Sequence, residues 1–458
     1  MTTDSWREIE RLRLDNFNQM FQTLSRDSAF YRQKYAQLQG TSFAHLDDIR
    51  AIPLTEKVEL QGKASYLRDG YRPTGYFESS GTTGAPLVGY PDLSFDKALA
   101  FGKFLDEWMG LKTAHVDLAV VALGYEMSPV GMRFQQALQA IGITVVPLGV
   151  RSTMCTPMRS VDIILRTEPQ AIFSRPWELL RYGDVIQETA PEALDMQKVF
   201  YLGEVMSRRK RERIKRLWNG ADVHGHYGLT ELDTGLQTCE LGNYHEPETP
   251  FMHAELLDLD LGSGAPITAP GMRGQLVIST LRDTAAPLLR YRTGDVASRT
   301  SCSCGLRSPA YRIFGRVIDQ AHIAGVPLFP CELEDRVLSV PAVGNEFSFV
   351  LEDDGGLTLR LERDRGVTLA HSNIEDEVRA TLPPDVERAT RIEMFEYGEL
   401  ADKLGIAKKK SGQFIDLRKS DPGARASRLA LNIVDSAALM DLSPCAFERT
   451  GAPLATTA

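Results

Sequence analysis

The residues able to do chemistry fall in short phrases. Ser79-Ser80-Gly81-Thr82-Thr83-Gly84 sets four hydroxyls and two glycines in one run. Glycines free the backbone. Hydroxyls with unobstructed N–H groups can wrap a phosphate. No Gly-Lys-Ser/Thr follows, so this is not a Walker loop. The plain alternative is a flexible Ser/Gly turn. In His226-Tyr227-Gly228-Leu229-Thr230-Glu231 a hydroxyl stands beside a carboxylate. Such a pair can hold a phosphate oxygen and a divalent cation together. Asp295 ends Arg290-Tyr291-Arg292-Thr293-Gly294-Asp295, where an acid after a glycine turn can bind both hydroxyls of a ribose. Its alternative is a surface turn. In Gly315-Arg316-Val317-Ile318-Asp319, Arg316 can reach ribose or phosphate.

These phrases need a frame. Apolar and aromatic residues recur at helical spacing over 6–38, and Pro53 with Thr55-Glu56-Lys57 marks a helix start. Strand-like runs at 116–123, 143–147 and 171–173 alternate with helical stretches at 129–141 and 158–167. That alternation implies a parallel, doubly wound sheet. It continues at Lys198–Leu202, followed by a very basic helix from Ser207 to Trp218. From 250 to 300, short β runs broken by Gly and Pro read as an antiparallel or barrel-like part. A hairpin across Asp353-Asp354-Gly355-Gly356 and helices at 331–340 and 371–381 read as a small α+β domain. The expected layout is an α/β fold: a large N-terminal domain over 1–317, a small mobile domain over 318–420, and a tail, 421–458, of no assigned role.

Composition narrows the function. The 458 residues carry a net charge of −9, which argues against a nucleic-acid binder or a polybasic membrane anchor. No apolar run reaches membrane-spanning length, and Met1–Glu8 is too charged for a secretory signal, so the expected location is the cytoplasm. Six cysteines in so long a chain are not a disulfide framework.

In order and spacing the phrases resemble the acyl-adenylate-forming ligases, in particular the branch of phenylacetate–CoA ligases and coenzyme F390 synthetases. The likeness runs over roughly 6–420. It includes Phe30-Tyr31-Arg32, Ile52-Pro53-Leu54-Thr55-Glu56-Lys57, the Ser79–Gly84 loop, Gly203-Glu204, and the Tyr227–Glu231, Arg290–Asp295 and Gly315–Asp319 phrases. The resemblance implies that Ser80, Thr82, Thr83 and Gly84 hold the ATP phosphates. Gly203, Glu204, His226, Tyr227 and Gly228 would line the adenine. Thr230 would touch the α-phosphate, Glu231 would bind Mg²⁺, and Asp295 would bind the ribose with Arg316 nearby. A catalytic lysine would come from the small domain. Counting back from Asp416 places Lys410 there, with Lys408 and Lys409 as alternatives and a solvated basic run as the plain reading.

Cys239 and His245 form one short pair and Cys302 and Cys304 another, on two loops that such a fold brings together. Three thiolates and an imidazole suit a structural, tetrahedral Zn²⁺. Free thiols, or His253 in place of His245, are the alternatives. The acid pocket is expected from Tyr125, Met127 and Phe134, with Trp177, around an aromatic or alicyclic acid; Phe134 and Trp177 read equally well as core. Glu126 and Arg151 can instead read a polar or amino-bearing acid.

Three positions depart from the family pattern. Ala85 stands where a lysine is usual, Ile318 replaces the acidic hinge residue, and Lys409 replaces the glycine before the catalytic lysine. The expected activity is an ATP-dependent ligase forming an acyl-AMP from a small carboxylic acid and passing the acyl group to coenzyme A. The altered hinge keeps a second acceptor open, an amine such as an amino acid. A non-catalytic adenylate-binding protein is the rival from another class. The resemblance also implies a homodimer.

Overall fold

The computed structural model describes residues 3–61, 66–79, 87–150, 155–232, 234–259, 264–400 and 413–416. The loop 80–86, Arg151, the lysines at 408–410 and the tail 421–458 lie outside them.

One sheet of eleven strands organises most of the chain. Its first half is parallel, in the order 144–146, 118–122, 171–174, 198–202 and 222–228. Helices cover both faces of these strands, so their sequences are apolar without alternation, as in the wholly buried Lys198–Leu202. Local chemistry sets the helix starts. Thr156 accepts from the Arg159 amide ahead of Pro157–Thr167, and Ser207 accepts from the Lys210 amide ahead of Arg208–Leu217. Past Asp222–Gly228 the sheet turns antiparallel, through 235–238, 244–245, 310–316, 291–300, 273–280 and 252–257. The segment anticipated as barrel-like is thus continuous with the doubly wound part, strand to strand.

The N-terminal stretch is two helices, Thr3–Asp27 and Ala29–Lys34, because Ser28 adopts an extended φ of −127°. Their aromatic side chains Phe17, Phe21, Tyr31 and Tyr35 form a separate core with Phe43 and Leu289. Arg13 is buried with Glu246 at 2.7 Å, tying the first helix to the antiparallel half.

A second sheet orders strands 390–395, 357–363, 343–351 and 413–416. Helices Pro330–Val337 and His371–Thr381 pack with it around Phe347, Phe349, Leu359, Leu361, Ile374 and Val378. Gln413–Asp416 pairs in parallel with Ser348–Leu351, so the lysine run leads directly into an edge strand of this sheet. The two sheets meet across the basic helix. Arg213 donates to the carbonyls of Leu338, Val340 and Val343 and to Asn345 Oδ1. Lys210 pairs with Glu334, both almost fully buried. Asn345 Nδ2 donates to both carboxylate oxygens of Asp184, at 2.8 and 2.9 Å. Among the described residues no helix is long and apolar enough to cross a membrane.

Candidate functional site

Ligands of open α/β sheets bind beyond the carboxyl ends of the parallel strands. Here that edge is also where the sheet turns antiparallel, and the phrases singled out in the sequence converge on it. Phe77–Glu78 pairs with Val88–Gly89 as the stem of the Ser/Thr/Gly loop. Ser79 closes the neck: its amide donates to the Leu87 carbonyl and its Oγ accepts from the Leu87 amide, both at 2.8 Å. Gly89 abuts the turn after Gly228, where a Cβ would lie 2.3 Å from the Thr230 carbonyl oxygen. The loop residues Ser80, Thr82, Thr83 and Gly84 lie outside the described residues, but their exit strand is pinned to Thr230.

Asp222–Gly228 delivers Tyr227, and the turn that follows delivers Thr230 and Glu231. Tyr227 Oη donates to Asp295 Oδ2 at 2.6 Å. Tyr291 Oη donates to Glu231 Oε1 at 2.6 Å. Asp295 and Arg316 are cross-strand partners, with Arg316 Nε 4.0 Å from Asp295 Oδ1. Burial raises the Asp295 pKa, and the Tyr227 hydrogen bond and the Arg316 charge act against that rise. Leu202 is the register partner of His226, so Gly203 and Glu204 follow beside Tyr227, and Gly203 makes the turn with a left-handed φ of +83°. Asp295, Arg316, Tyr227, Gly228, Thr230, Glu231, Gly203 and Glu204 therefore share one edge. Lys410 and its alternatives cannot be placed, because they fall outside the described residues.

Two neighbours were not singled out in the sequence as site residues. Tyr291 occupies the middle of a phrase noted only for Asp295. Lys57 begins the one-turn helix Lys57–Leu60, and burial and the Arg316 charge lower its pKa against opposing pulls from Glu231 and Asp295. Its signal was the Ile52–Lys57 phrase, which is held here by a parallel bridge between Thr55 and Tyr291 and by a 3.2 Å Glu56–Arg292 pair.

Strand alternation splits the phrase around Tyr227. Tyr227 faces Asp295, so His226 faces the opposite side. Only their shared backbone can border one ligand. His226 is held neutral, its pKa pushed down to about 4 by burial and by Arg133.

The three pocket candidates separate. Met127 is half-exposed in a left-handed φ of +48°, and its carbonyl accepts from the Glu78 amide at 3.3 Å, beside the loop stem. Tyr125 packs its ring on Gly131, and burial raises its pKa to about 12. Phe134 sits deeper than the other two. It is 3 % exposed, with ring centroids 5.2, 5.5 and 4.8 Å from those of Phe101, Phe173 and Phe200, and packs in an aromatic cluster. Trp177 is likewise buried. Glu126 is exposed, and Arg151 lies outside the described residues.

The thiols and the imidazole do come together. The ligand atoms of Cys239, His245, Cys302 and Cys304 all lie within 4.8 Å of one another. Cys239 Sγ is 3.6 Å from Cys302 Sγ, and Cys304 Sγ is 3.5 Å from His245 Nε2. Tetrahedral Zn²⁺ with bonds of about 2.3 Å to sulfur sets its ligand atoms roughly 3.5–3.8 Å apart. His245 Nδ1 meets the Ser308 carbonyl at 3.0 Å, which leaves Nε2 facing the thiols, and Asn243 Nδ2 donates to Cys302 Sγ. His253 is not in this group: it lies on Met252–Leu257, opposite Ser279.

No family model matches the chain. A phenylacetate-coenzyme A ligase of Thermus thermophilus is 29% identical over 356 residues, covering 72% of this chain and 75% of that protein. One of Escherichia coli is 23% identical over 395 residues, covering 81% and 86%. Among solved structures, 2-hydroxyisobutyryl-CoA ligase in its postadenylation state superposes with a TM-score of 0.78 at 19% identity, over 93% of this chain and 92% of that one. The anthranilate CoA ligase AuaEII gives 0.52 at 14% identity, over 80% and 68%. In sequence the chain is thus similar to phenylacetate–CoA ligases, and in fold to the acyl-adenylate-forming ligases.

Proposed function

We propose that this protein is an AMP-forming acid–CoA ligase. ATP and a small carboxylic acid give an acyl-AMP and pyrophosphate, and the acyl group then passes to coenzyme A. The observation that carries this reading is the paired Tyr227–Asp295 and Tyr291–Glu231 contacts at the carboxyl edge of the parallel strands, beside the stem of the phosphate loop. Two solved structures of 2-hydroxyisobutyryl-CoA ligase, one holding an acyl-AMP and one an acyl-AMP with CoA, support the two-step order.

In the first step a carboxylate oxygen attacks the α-phosphorus and the bond to pyrophosphate breaks. Asp295 would accept from the ribose hydroxyls with the oxygen lone pairs that Tyr227 leaves open. Thr230 and the Ser80–Gly84 loop would donate to the phosphates. Glu231, oriented by Tyr291, would hold Mg²⁺, which offsets the charge gathering on the phosphate oxygens. Lys410 would reach the site from the second sheet, and we take 318–420 as the moving unit that carries it. In the second step the CoA sulfur attacks the acyl carbon, AMP leaves, and the thiol proton goes to solvent. The Cys239–His245–Cys302–Cys304 cluster would hold Zn²⁺ with no open position, pinning the loops after 238 and 300. A chain that uses ATP and CoA and keeps thiolates for zinc fits the cytoplasm, where we place it.

A second acceptor is favoured by one observation. Ile318, at the position of the usual acidic hinge, is 55 % exposed in the Val317–Asp319 turn. An amine acceptor needs no thioester-forming swing of the small unit. Both readings meet one experiment: pyrophosphate release from ATP–Mg²⁺ with an acid panel, then product analysis with CoA or amino acids. No pyrophosphate with any acid overturns the ligase. Pyrophosphate with amide but no thioester selects the amide synthetase.

A further inference from the structure

Resting on the ligase reading, we propose that the acid substrate carries a hydrogen-bond donor, a hydroxyl or amino group, and that Gln237 reads it. Gln237 is the cross-strand partner of His226 in an antiparallel pair, so both side chains stand on the face turned away from Asp295. Helices Phe95–Met109 and Val130–Ala140 cover that face. Trp108 sets its ring edge-on to His224 at 5.8 Å and donates Nε1 to the Thr238 carbonyl at 3.0 Å. Arg133 acts electrostatically on His226, and its guanidinium lies 5.7 Å from the Phe101 ring centroid.

Phe101, Trp108, Phe134 and Phe200 give this face an aromatic, apolar wall, with His224 on the His226 strand and His245 opposite Gln237 on its other side. Three polar atoms in the region nonetheless have no protein partner among the described residues: Gln237 Oε1, Tyr125 Oη and His224 Nε2. Gln237 is only 9 % exposed. Buried acceptors in native proteins almost always have a donor. A packed sheet gains nothing from a lone amide oxygen there, where leucine would do better. A bound ligand with an O–H or N–H supplies the missing donor. The site is placed for the acyl moiety, because Gln237 and His226 stand on the same two strands that carry Tyr227 and the turn to Glu231, but on the other face.

The test is kcat/KM for pyrophosphate release on matched acids: benzoate, phenylacetate and isobutyrate, each beside its hydroxyl, amino and methyl-ether forms. A donor-bearing member should exceed its parent and its ether by about 10- to 100-fold, because the analogue lacking the donor leaves a buried acceptor unsatisfied. Gln237→Leu should collapse that ratio to within a few-fold, and Gln237→Met should do the same. Parents or ethers preferred throughout would overturn the assignment while leaving the ligase standing. So would an unchanged ratio in both variants. No pyrophosphate from any acid removes the ligase reading, and this inference falls with it.

Discussion

Replacing Tyr227 by phenylalanine isolates one hydrogen bond at the centre of the proposed nucleotide site. Tyr227 Oη donates to Asp295 Oδ2 at 2.6 Å, and Arg316 stands no nearer than 4.0 Å to the other oxygen. The phenol is thus the main donor to a carboxylate that is 6 % exposed and whose pKa burial already raises. A hydrogen bond to a charged group contributes about 1.5–3 kcal/mol. At 1.36 kcal/mol per tenfold, losing it should lower kcat/KM for ATP by about 10- to 150-fold. The pH dependence has a definite sign. Ribose binding needs the ionised carboxylate, so activity falls as pH drops through the folded-state pKa of Asp295. Removing the donor raises that pKa further, so the acid limb of the kcat/KM profile must move to higher pH. Tyr291→Phe is the internal control: it frees Glu231, so it should alter the Mg²⁺ requirement without moving that limb. Steady-state pyrophosphate release from pH 5 to 9 reads both. An unshifted acid limb in Tyr227→Phe, with ATP kcat/KM within twofold of the parent protein, would refute the role given to this pair.

Further outcomes follow from the metal cluster and the seam between the sheets. Protein purified without added metal should contain one zinc per chain, and Cys302→Ser should both lose it and lower the melting temperature; metal-free protein of unchanged stability would remove the site. Lys210→Met leaves the Glu334 carboxylate buried and unpaired, and should cost about 3–5 kcal/mol in urea unfolding, whereas adding Glu334→Leu should recover most of that. A single-variant cost below about 1 kcal/mol would show the pair to be solvated. Burial lifts the Asp184 pKa to about 7, from an ordinary value of 3.8. Between those values the folded state binds more protons than the unfolded, so this group's contribution to stability falls as pH rises through the window. Asp184→Asn should therefore gain on the parent protein between pH 5 and pH 8 in thermal melts, and a constant difference would contradict the shift.

How much of this was legible in the sequence depends on what each signal encodes. The parallel half was readable because strands buried on both faces leave unbroken apolar runs, as at Lys198–Leu202. The metal set was readable because its ligands come in two short pairs, though only the fold could choose His245 over His253. The continuity of the antiparallel half was not readable, since pairing between 244–245 and 310–316 is set by long-range register and not by any local pattern. Phe134 shows the limit of composition: an aromatic at helical spacing fits a pocket wall and a core equally, and only the fold reveals the three rings it packs against. Tyr291 and Lys57 carried no phrase of their own chemistry and became visible only as neighbours of Glu231 and Asp295.

Period two along Asp222–Gly228 has the widest consequence. The sequence presents His226-Tyr227-Gly228 as one block, and family likeness assigns the block to one ligand. A strand cannot do that with adjacent side chains. Tyr227 turns to Asp295, and His226, with Gln237 beside it, turns to the aromatic face under the two helices. One strand thereby borders two spaces whose chemistries differ: a charged one built on carboxylates and an arginine, and a largely aromatic one with the Gln237 amide oxygen to satisfy. Substitutions at odd and even positions of this strand should separate accordingly. Changes at Tyr227 should act on ATP kinetics, and changes at His226 should act on the choice of acid. A His226→Ala variant that altered KM for ATP as strongly as Tyr227→Phe, with the acid preference untouched, would mean that both side chains serve the nucleotide and that the division of the strand is wrong.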